Sequence, residues 1–317
     1  MSIPPPANLN CILLNACGAA YNIPPFTCAY TPDTTYSPHV PYVGNPQTAC
    51  GGEGLINAAT VGQCPFGIIV AFRGTLPPSL NDPDSWLDWL QNFFAVPLSN
   101  PTGPNRVPGQ VHSGFFNATA SIIHKIQTLV MGFNPGPDNP VFVTGHSKGG
   151  ALASIGGYIL SQNLGVPNVQ PLVTFASARP GDVAFRNGFQ QVLSQTRYEN
   201  FDDIVPLLPP SLDFIQRMAS HPELGVIRLT PTGRRLAHLL DSAKDWNYVP
   251  VGTMLFITST FQVIDNESVD EQTLDVVEEF VKDLLERNFS SFGTAHSLLP
   301  HSRLPGTGYN SGVCGGS

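Results

Sequence analysis

The 317-residue sequence predicts an α/β fold built on one mostly parallel sheet with helices on both faces. Three observations point there. From residue 66 onward, apolar strand-like runs alternate with segments of helical spacing, the pattern of strands joined by helical crossovers. One run, "FGIIVAFRG" (66–74), is continuously apolar, as expected of a strand covered on both faces. Another, "VFVTG" (141–145), ends in a glycine and gives way to "HSKGGALAS", whose small residues fall in helical register.

The elements follow in order. Residues 1–65 are rich in Pro, Gly and Cys. One helical piece there, "LNCILLNACGAAY", precedes irregular structure, so this part reads as an N-terminal wrap rather than a domain. Past the 66–74 strand, "GFFNATASIIHKIQTLVMGF" (114–133) has helical spacing through Phe115, Ala118, Ile122, Ile126 and Leu129. Strand 141–145, helix 147–162, strand 170–176, a short helix near 182–193 and strand 196–202 come next. Strands near 224–230 and 251–258 and an acidic helix over 269–287 complete the pattern. No repeat and no boundary divides the chain, which reads as a single domain over 1–317.

Composition narrows the function classes. Hydrophobic residues make up 42% and charged residues 12%, which describes a packed globular protein with a weakly charged surface. A formal net charge of −8 argues against nucleic acid and against strong attraction to anionic membranes. No apolar run approaches the roughly 20 residues that span a bilayer. The longest, "VGTMLFITSTF" (251–261), reads as a buried strand, so no transmembrane segment is expected. The opening "MSIPPPANLN" lacks the basic start of a signal peptide, and "CILLNA" is too short for its apolar core.

Six cysteines (11, 17, 28, 50, 64 and 314) cluster at the two ends of the chain, and no spacing resembles a zinc site. Disulfides stapling the N-terminal segment and the C-terminal tail are expected, which implies an oxidising compartment and a secreted protein. Reduced, buried thiols are the alternative. No metal and no cofactor is expected, and the chain reads as a monomer. Three Asn-x-Ser/Thr sequons, at Asn117, Asn266 and Asn288, are close to chance for this many asparagines.

The serine of "VTGHSKGG" is the chemical centre of the sequence. Gly145-His146-Ser147-Lys148-Gly149 has the G-x-S-x-G form, in which a strand turns abruptly into a helix and leaves the serine on a strained corner. Side chains two positions either side would collide with strand and helix, hence the glycines. The helix N-terminus then faces any negative charge that develops there. A bare G-x-S-x-G is common by chance; here the preceding strand and following small-residue helix give it the right setting.

A serine hydroxyl needs a base and an orienting carboxylate, in the order Ser, acid, His. "YENFDDIVPLLPP" (198–210) brings Asp202 and Asp203 to the end of an apolar strand, where catalytic groups of such sheets collect. The two alternate in direction, so one of them faces the base. His221, His238, His296 and His301 are the available imidazoles. His296, in "FGTAHSLLPH", follows the last strand and lies in a loop; His238, in "RRLAHLLD", has a helical or surface setting.

In these segments the sequence closely resembles the class 3 lipases, the family of filamentous-fungal triacylglycerol lipases and their plant and microbial relatives. "IIVAFRGT" (68–75) resembles the strand leading to the oxyanion loop, and "WLQNFFAVPLSNP" with "VHSGF" (111–115) the lid and next helix. "VTGHSKGGALA" resembles the nucleophile elbow, "TFASARPGDVAF" (174–185) the arginine-proline-glycine region, and "NFDDIVPLLPP" the acid segment. The likeness covers roughly 66–212, with a weaker continuation to His296.

It implies the α/β-hydrolase fold, Ser147 as nucleophile, Asp203 rather than Asp202 as acid, and His296 as base. It further implies an oxyanion hole made by Thr75, through backbone N–H and hydroxyl, and the backbone N–H of Lys148. Lys148 stands where the family usually has leucine, Asn92 where the lid has aspartate, and Ala178 where a proline precedes the arginine. The implied activity is acyl transfer on an ester lipid, without metal or cofactor. Phospholipase A1, galactolipase and feruloyl-type esterase remain alternatives on the same scaffold, as does an inactive lipid- or partner-binding member.

Residues 76–94, "LPPSLNDPDSWLDWLQNFF", follow the oxyanion loop. Trp86, Trp89, Leu90 and Phe93 recur at i, i+3, i+4 and i+7, an amphipathic helix flanked by Pro77, Pro78, Pro83 and Gly74 as hinges. An ordinary core helix is the alternative reading. As a lid, it is expected to cover Ser147 in water and open at a lipid–water interface, where its indoles fit.

Overall fold

The computed structural model describes residues 8–33, 37, 41–76, 89, 91–220, 229–265, 276, 282–283, 293–298 and 309–314. Ten strands lie among them: β1 Gln47–Gly51, β2 Asn57–Cys64, β3 Gly67–Phe72, β4 Pro97–Ser99, β5 Gln110–His112, β6 Val141–His146, β7 Leu172–Phe175, β8 Gln195–Asn200, β9 Thr253–Ile257 and β10 Val263–Asp265. Eight of them form one sheet in the order β1-β2-β3-β6-β7-β8-β9-β10, while β4 and β5 pair separately. The pairs from β3 to β9 are parallel, and the two margins are antiparallel. This is the mostly parallel sheet that the alternating pattern predicts, in the arrangement that the resemblance implies.

The centre is built by burial on both faces. Every residue of β3 and of β6 is buried, which only a strand between two helical layers allows. Helix Lys148–Gln162 packs on one side of these strands, and helix Leu9–Ala20, buried from Cys11 to Ala20, covers the other. The helix comes very close to the sheet at its first turn. A Cβ on Gly145 would lie 2.0 Å from the Gly149 carbonyl oxygen, and one on Gly149 would lie 2.2 Å from that of Phe72. Glycine at both positions is therefore a steric requirement of the corner.

Several expectations need correction. The N-terminal 65 residues are not mainly irregular, because β1 and β2 extend the sheet antiparallel to β3. Their small, mixed residues (QTACG, NAATVGQC) carry no alternation to read, since Ala58, Ala59, Thr60 and Val61 are all buried. The helix expected over 114–133 is two helices, Ser113–Ala120 and Ile123–Gly132. Ile122, at φ −128° and ψ −14°, breaks them apart. The break seats Ser121 on the first strands, where its Oγ accepts from Asn57 Nδ2. Helices Leu212–Ser220 and Pro231–Ala243 fill the interval after the acid segment, and Thr230 caps the second rather than ending a strand. Most of the strand expected near 224–230, and all of the 269–287 helix save Val276, Lys282 and Asp283, lie outside the described residues.

Disulfides join Cys11 to Cys314 and Cys28 to Cys50, while Cys17 and Cys64 are buried free thiols. The first spans 303 residues of sequence. Closing so long a loop removes on the order of 5 kcal/mol of unfolded-chain entropy in the simplest chain model. It also fastens the C-terminal helix Tyr309–Val313 to helix Leu9–Ala20, where Asn8 Nδ2 donates to the Val313 carbonyl.

Candidate active site

Ser147 stands between β6 and helix Lys148–Gln162 with φ +62° and ψ −134°, the left-handed region that an L-residue enters only under constraint. The corner is held by its backbone: Ser147 N–H donates to the Phe175 carbonyl at 3.0 Å, and Gly150 N–H to the Ser147 carbonyl at 2.9 Å. The hydroxyl is buried, and among the described residues Ser147 Oγ has no hydrogen-bond partner. A buried polar atom left unbonded in this way is rare and calls for a functional explanation.

Asp203 lies just past the end of β8 and is 2% exposed. His296 reaches it from the far end of the chain, with Nδ1 2.9 Å from Oδ2 and 3.1 Å from Oδ1. A carboxylate accepts, so Nδ1 carries the hydrogen and Nε2 presents its lone pair. That nitrogen too is buried without a partner among the described residues. Asp203 is further held by the Val205 N–H on Oδ1 at 3.0 Å and the Tyr309 hydroxyl on Oδ2 at 2.6 Å. Burial and the adjacent carboxylate push the Tyr309 phenol well up, so it stays a donor. Asn200 closes the frame: its N–H donates to Tyr309 Oη, and its Nδ2 to the Ala295 carbonyl.

The structure thus brings Asp203 and His296 together. His146, the residue before Ser147, has its ring centroid 4.6 Å from that of His296, and no Ser147–His296 hydrogen bond is formed. His238 is exposed on helix Pro231–Ala243, far from such a role, and His221 and His301 lie outside the described residues. Thr75 follows β3 closely, with its Oγ1 buried and unbonded among the described residues. Lys148 opens the helix after the serine; its Nζ donates to Asn57 Oδ1 at 3.2 Å. Burial and the Arg73 guanidinium push its pKa down to about 8.

Of the four expected lid residues, Trp86 and Leu90 lie outside the described residues. Trp89 stands edge-on to the His296 ring at 5.5 Å and to Phe93 at 5.0 Å, and Phe93 in turn meets Phe115. Both are buried. The His296 ring is therefore capped by an indole. Tyr21, His146, Asn200 and Tyr309 shape the site without having been foreseen. Only His146 sits in a recognisable motif, where any residue is formally allowed.

Two buried histidines set an acid limit on the fold. Burial pushes His112 down to about 4, and burial with the neighbouring His296 ring holds His146 well below the ordinary histidine value of 6.5. A pKa lowered by folding adds stability above the unfolded value and loses it as pH falls. Between pH 6.5 and 4 the unfolded chain takes up protons that the fold refuses, costing roughly 3 kcal/mol for His112 by pH 4. Denaturant midpoints are expected to fall across that window. His112→Asn, which keeps an acceptor for the Phe115 amide but does not titrate, should flatten the slope. An unchanged slope would rule this source out.

The sequence and the fold have counterparts among known proteins. Residues 69–212 match the family described as Lipase (class 3). Those residues belong to the class 3 lipase family. A lipase of Rhizomucor miehei is 33% identical over 150 residues, covering 45% of this chain and 38% of its own length. A secreted mono- and diacylglycerol lipase of Fusarium solani is 38% identical over 147 residues, covering 45% and 39%. A chloroplastic phospholipase A(1) of Arabidopsis thaliana is 27% identical over 158 residues, covering 45% and 33%. The chain thus spans only between a third and two-fifths of the length of these three relatives. Among solved structures, a deletion mutant of the Rhizomucor miehei lipase propeptide complex superposes with TM-score 0.54 at 23% identity, over 92% of this chain and 78% of that one. A Penicillium cyclopium MDLA mutant gives 0.53 at 19%, over 82% and 86%. The class 3 lipase segment runs from β3 to the start of helix Leu212–Ser220 and contains Thr75, Ser147, Lys148 and Asp203, whereas His296 and Tyr309 come from beyond it.

Proposed function

We propose that the chain is a carboxylic ester hydrolase of the triacylglycerol lipase type, with Ser147 as nucleophile, His296 as base and Asp203 as orienting acid. One observation carries the reading. The Asp203 carboxylate holds His296 Nδ1 at 2.9 Å and so leaves a buried Nε2 lone pair, and the hydroxyl of Ser147, next in sequence to the His146 ring that packs on His296, is likewise buried and unbonded among the described residues.

His296 Nε2 takes the proton as Ser147 Oγ attacks the ester carbonyl. The oxyanion is received by the Thr75 and Lys148 backbone N–H groups and the Thr75 hydroxyl, each such donor being worth about 2.7–4 kcal/mol in a preorganised site. Asp203 stabilises the imidazolium. The proton passes to the departing alkoxide, and water repeats the sequence on the acyl-enzyme to release the acid. Residues 76–94 act as a lid. Trp89 on the His296 ring is the described part of its closed position, and the ring must be uncovered before an ester can reach Ser147.

Lipid is favoured as substrate by the apolar side chains that begin one residue past Asp203, where Ile204, Leu208, Phe214, Met218 and Leu240 pack together. The acylglycerol lipases among the relatives support the same substrate class, and the two disulfides with a relative named as secreted support an extracellular location. The phospholipase A(1) relative favours a second reading, hydrolysis of a phospholipid acyl ester by the same groups. Rates on emulsified triolein, phosphatidylcholine vesicles and methyl ferulate separate these. Triolein is expected to be fastest, with a rate that jumps as substrate exceeds its solubility. Phosphatidylcholine as the fastest substrate would favour the phospholipase, and methyl ferulate an aromatic-acid esterase. No turnover on any of them would remove the hydrolase reading.

A further inference from the structure

His146 has no part in the steps above, yet it is 4% exposed and both of its ring nitrogens are bonded. Nε2 lies 2.8 Å from the carbonyl oxygen of His296, and Nδ1 lies 2.8 Å from Tyr21 Oη. A carbonyl only accepts, so Nε2 carries the hydrogen. The ring is neutral, because burial and the His296 imidazole disfavour its charged form. Nδ1 is therefore an acceptor, and the Tyr21 hydroxyl donates to it. One tautomer is selected by two partners. Tyr21 follows directly on the buried helix Leu9–Ala20, and its ring meets that of His146 edge-on at 5.9 Å.

The bond has a particular position. Its donor side chain belongs to the residue before the nucleophile, and its acceptor is the backbone of the base itself. Ser147 and His296 lie 149 positions apart in sequence, but through this bond one peptide unit and one imidazole separate the serine corner from the His296 carbonyl. Asp203 governs how the His296 ring is turned; it bonds the ring and not the backbone. A base held only by its ring could still slide along the carboxylate and lose reach to Oγ.

We propose that His146 is a positioning residue whose Nε2–H clamps the His296 backbone to the nucleophile corner, with Tyr21 setting the tautomer that makes the clamp possible. The inference rests on the hydrolase reading of Ser147 and His296. It separates two roles for the elbow: Ser147 supplies the attacking oxygen, and the residue before it fixes where the base stands.

The test compares His146→Gln, His146→Asn and Tyr21→Phe with the wild type on a soluble short-chain ester. A glutamine amide reaches about as far as Nε2 and keeps an N–H for the His296 carbonyl, whereas asparagine stops short. His146→Asn is expected to lower kcat by about 10- to 100-fold with KM unchanged, the scale of an ångström-sized misplacement. His146→Gln should recover most of that loss, and Tyr21→Phe should lose a few-fold in kcat. Equal kcat for the Asn and Gln variants, or a loss confined to KM, overturns the clamp in favour of simple packing. If the Asn variant does not fold, Tyr21→Phe decides, and an unchanged kcat overturns the proposal. Active-site titration of the wild type with a fluorophosphonate is done first. No labelling removes the hydrolase reading and the clamp with it, while a labelled wild type with equal Asn and Gln variants removes the clamp alone.

Discussion

Ser147→Ala is expected to lower kcat by about 10⁶-fold and to abolish covalent labelling by a fluorophosphonate, while leaving the fold intact. The size follows from what is removed: without Oγ there is no acyl-enzyme, and His296 can at best draw a water into a pocket shaped for the serine oxygen. The stability side is equally specific. Ser147 Oγ is buried and makes no hydrogen bond among the described residues, so its deletion leaves no partner stranded and removes an unsatisfied hydroxyl. The left-handed backbone, at φ +62°, is unfavourable for alanine as it is for serine, so that strain is unchanged. The thermal midpoint of the variant should therefore equal or slightly exceed that of the wild type. A variant that loses activity only by unfolding would contradict this account. Residual labelling would place the nucleophile elsewhere.

That the corner was legible at all has a steric cause. Gly145 and Gly149 are glycine because carbonyl oxygens stand where their side chains would be, and the apolar runs of β3 and β6 reflect burial on both faces. Such features leave a residue-type signature. The margins of the sheet do not. β1 and β2 are small and polar enough to pass for loop, and β10, with Val263, Ile264 and Asp265 all exposed, has no alternation to show. The break at Ser121 could not be read either, since Ile122 continues the helical spacing of apolar residues while its backbone departs from it.

The site divides along the same line. Chain order, a loop setting and the family resemblance favour His296 over His238, and the structure sets His296 against Asp203 with His238 exposed on a helix. Tyr309 was invisible, because nothing in "PGTGYNSG" distinguishes a phenol that donates to a carboxylate 106 residues earlier. Its placement depends on the Cys11–Cys314 bond and the backbone contacts of Ser297 and Leu298 with the last helix. Contacts of this kind arise only when both ends of the chain have closed on the sheet, and no local pattern encodes them. The 76–94 stretch is intermediate. Its stripe was periodic, but the contact of Trp89 with the His296 ring is a tertiary fact.

Asp203→Asn should lower kcat by about 10⁴-fold with little change in KM, and Asp202→Asn by no more than a few-fold. The adjacent pair makes the experiment internally controlled, since the two residues share a turn and differ in what they face. Asp203 accepts from His296 Nδ1, the Val205 amide and the Tyr309 hydroxyl. An asparagine there cannot satisfy all three as an acceptor. If its NH₂ turns toward His296, the imidazole must offer Nδ1 as a lone pair and move its hydrogen to Nε2, the tautomer that cannot take a proton from Ser147. If its carbonyl oxygen takes the Oδ2 place beside His296 and Tyr309 instead, the NH₂ takes the Oδ1 place and confronts the Val205 N–H. Two buried N–H donors then face each other. A backbone amide cannot turn acceptor, whereas a phenol hydroxyl can rotate and an imidazole can shift its hydrogen, so that arrangement costs more than the tautomer change. The wrong tautomer is thus the favoured outcome, and activity falls even though no atom of the serine corner has moved. Should Asp202→Asn prove the damaging substitution and Asp203→Asn the mild one, the pairing of Asp203 with His296 would be a structural contact and the orienting acid would have to be sought elsewhere.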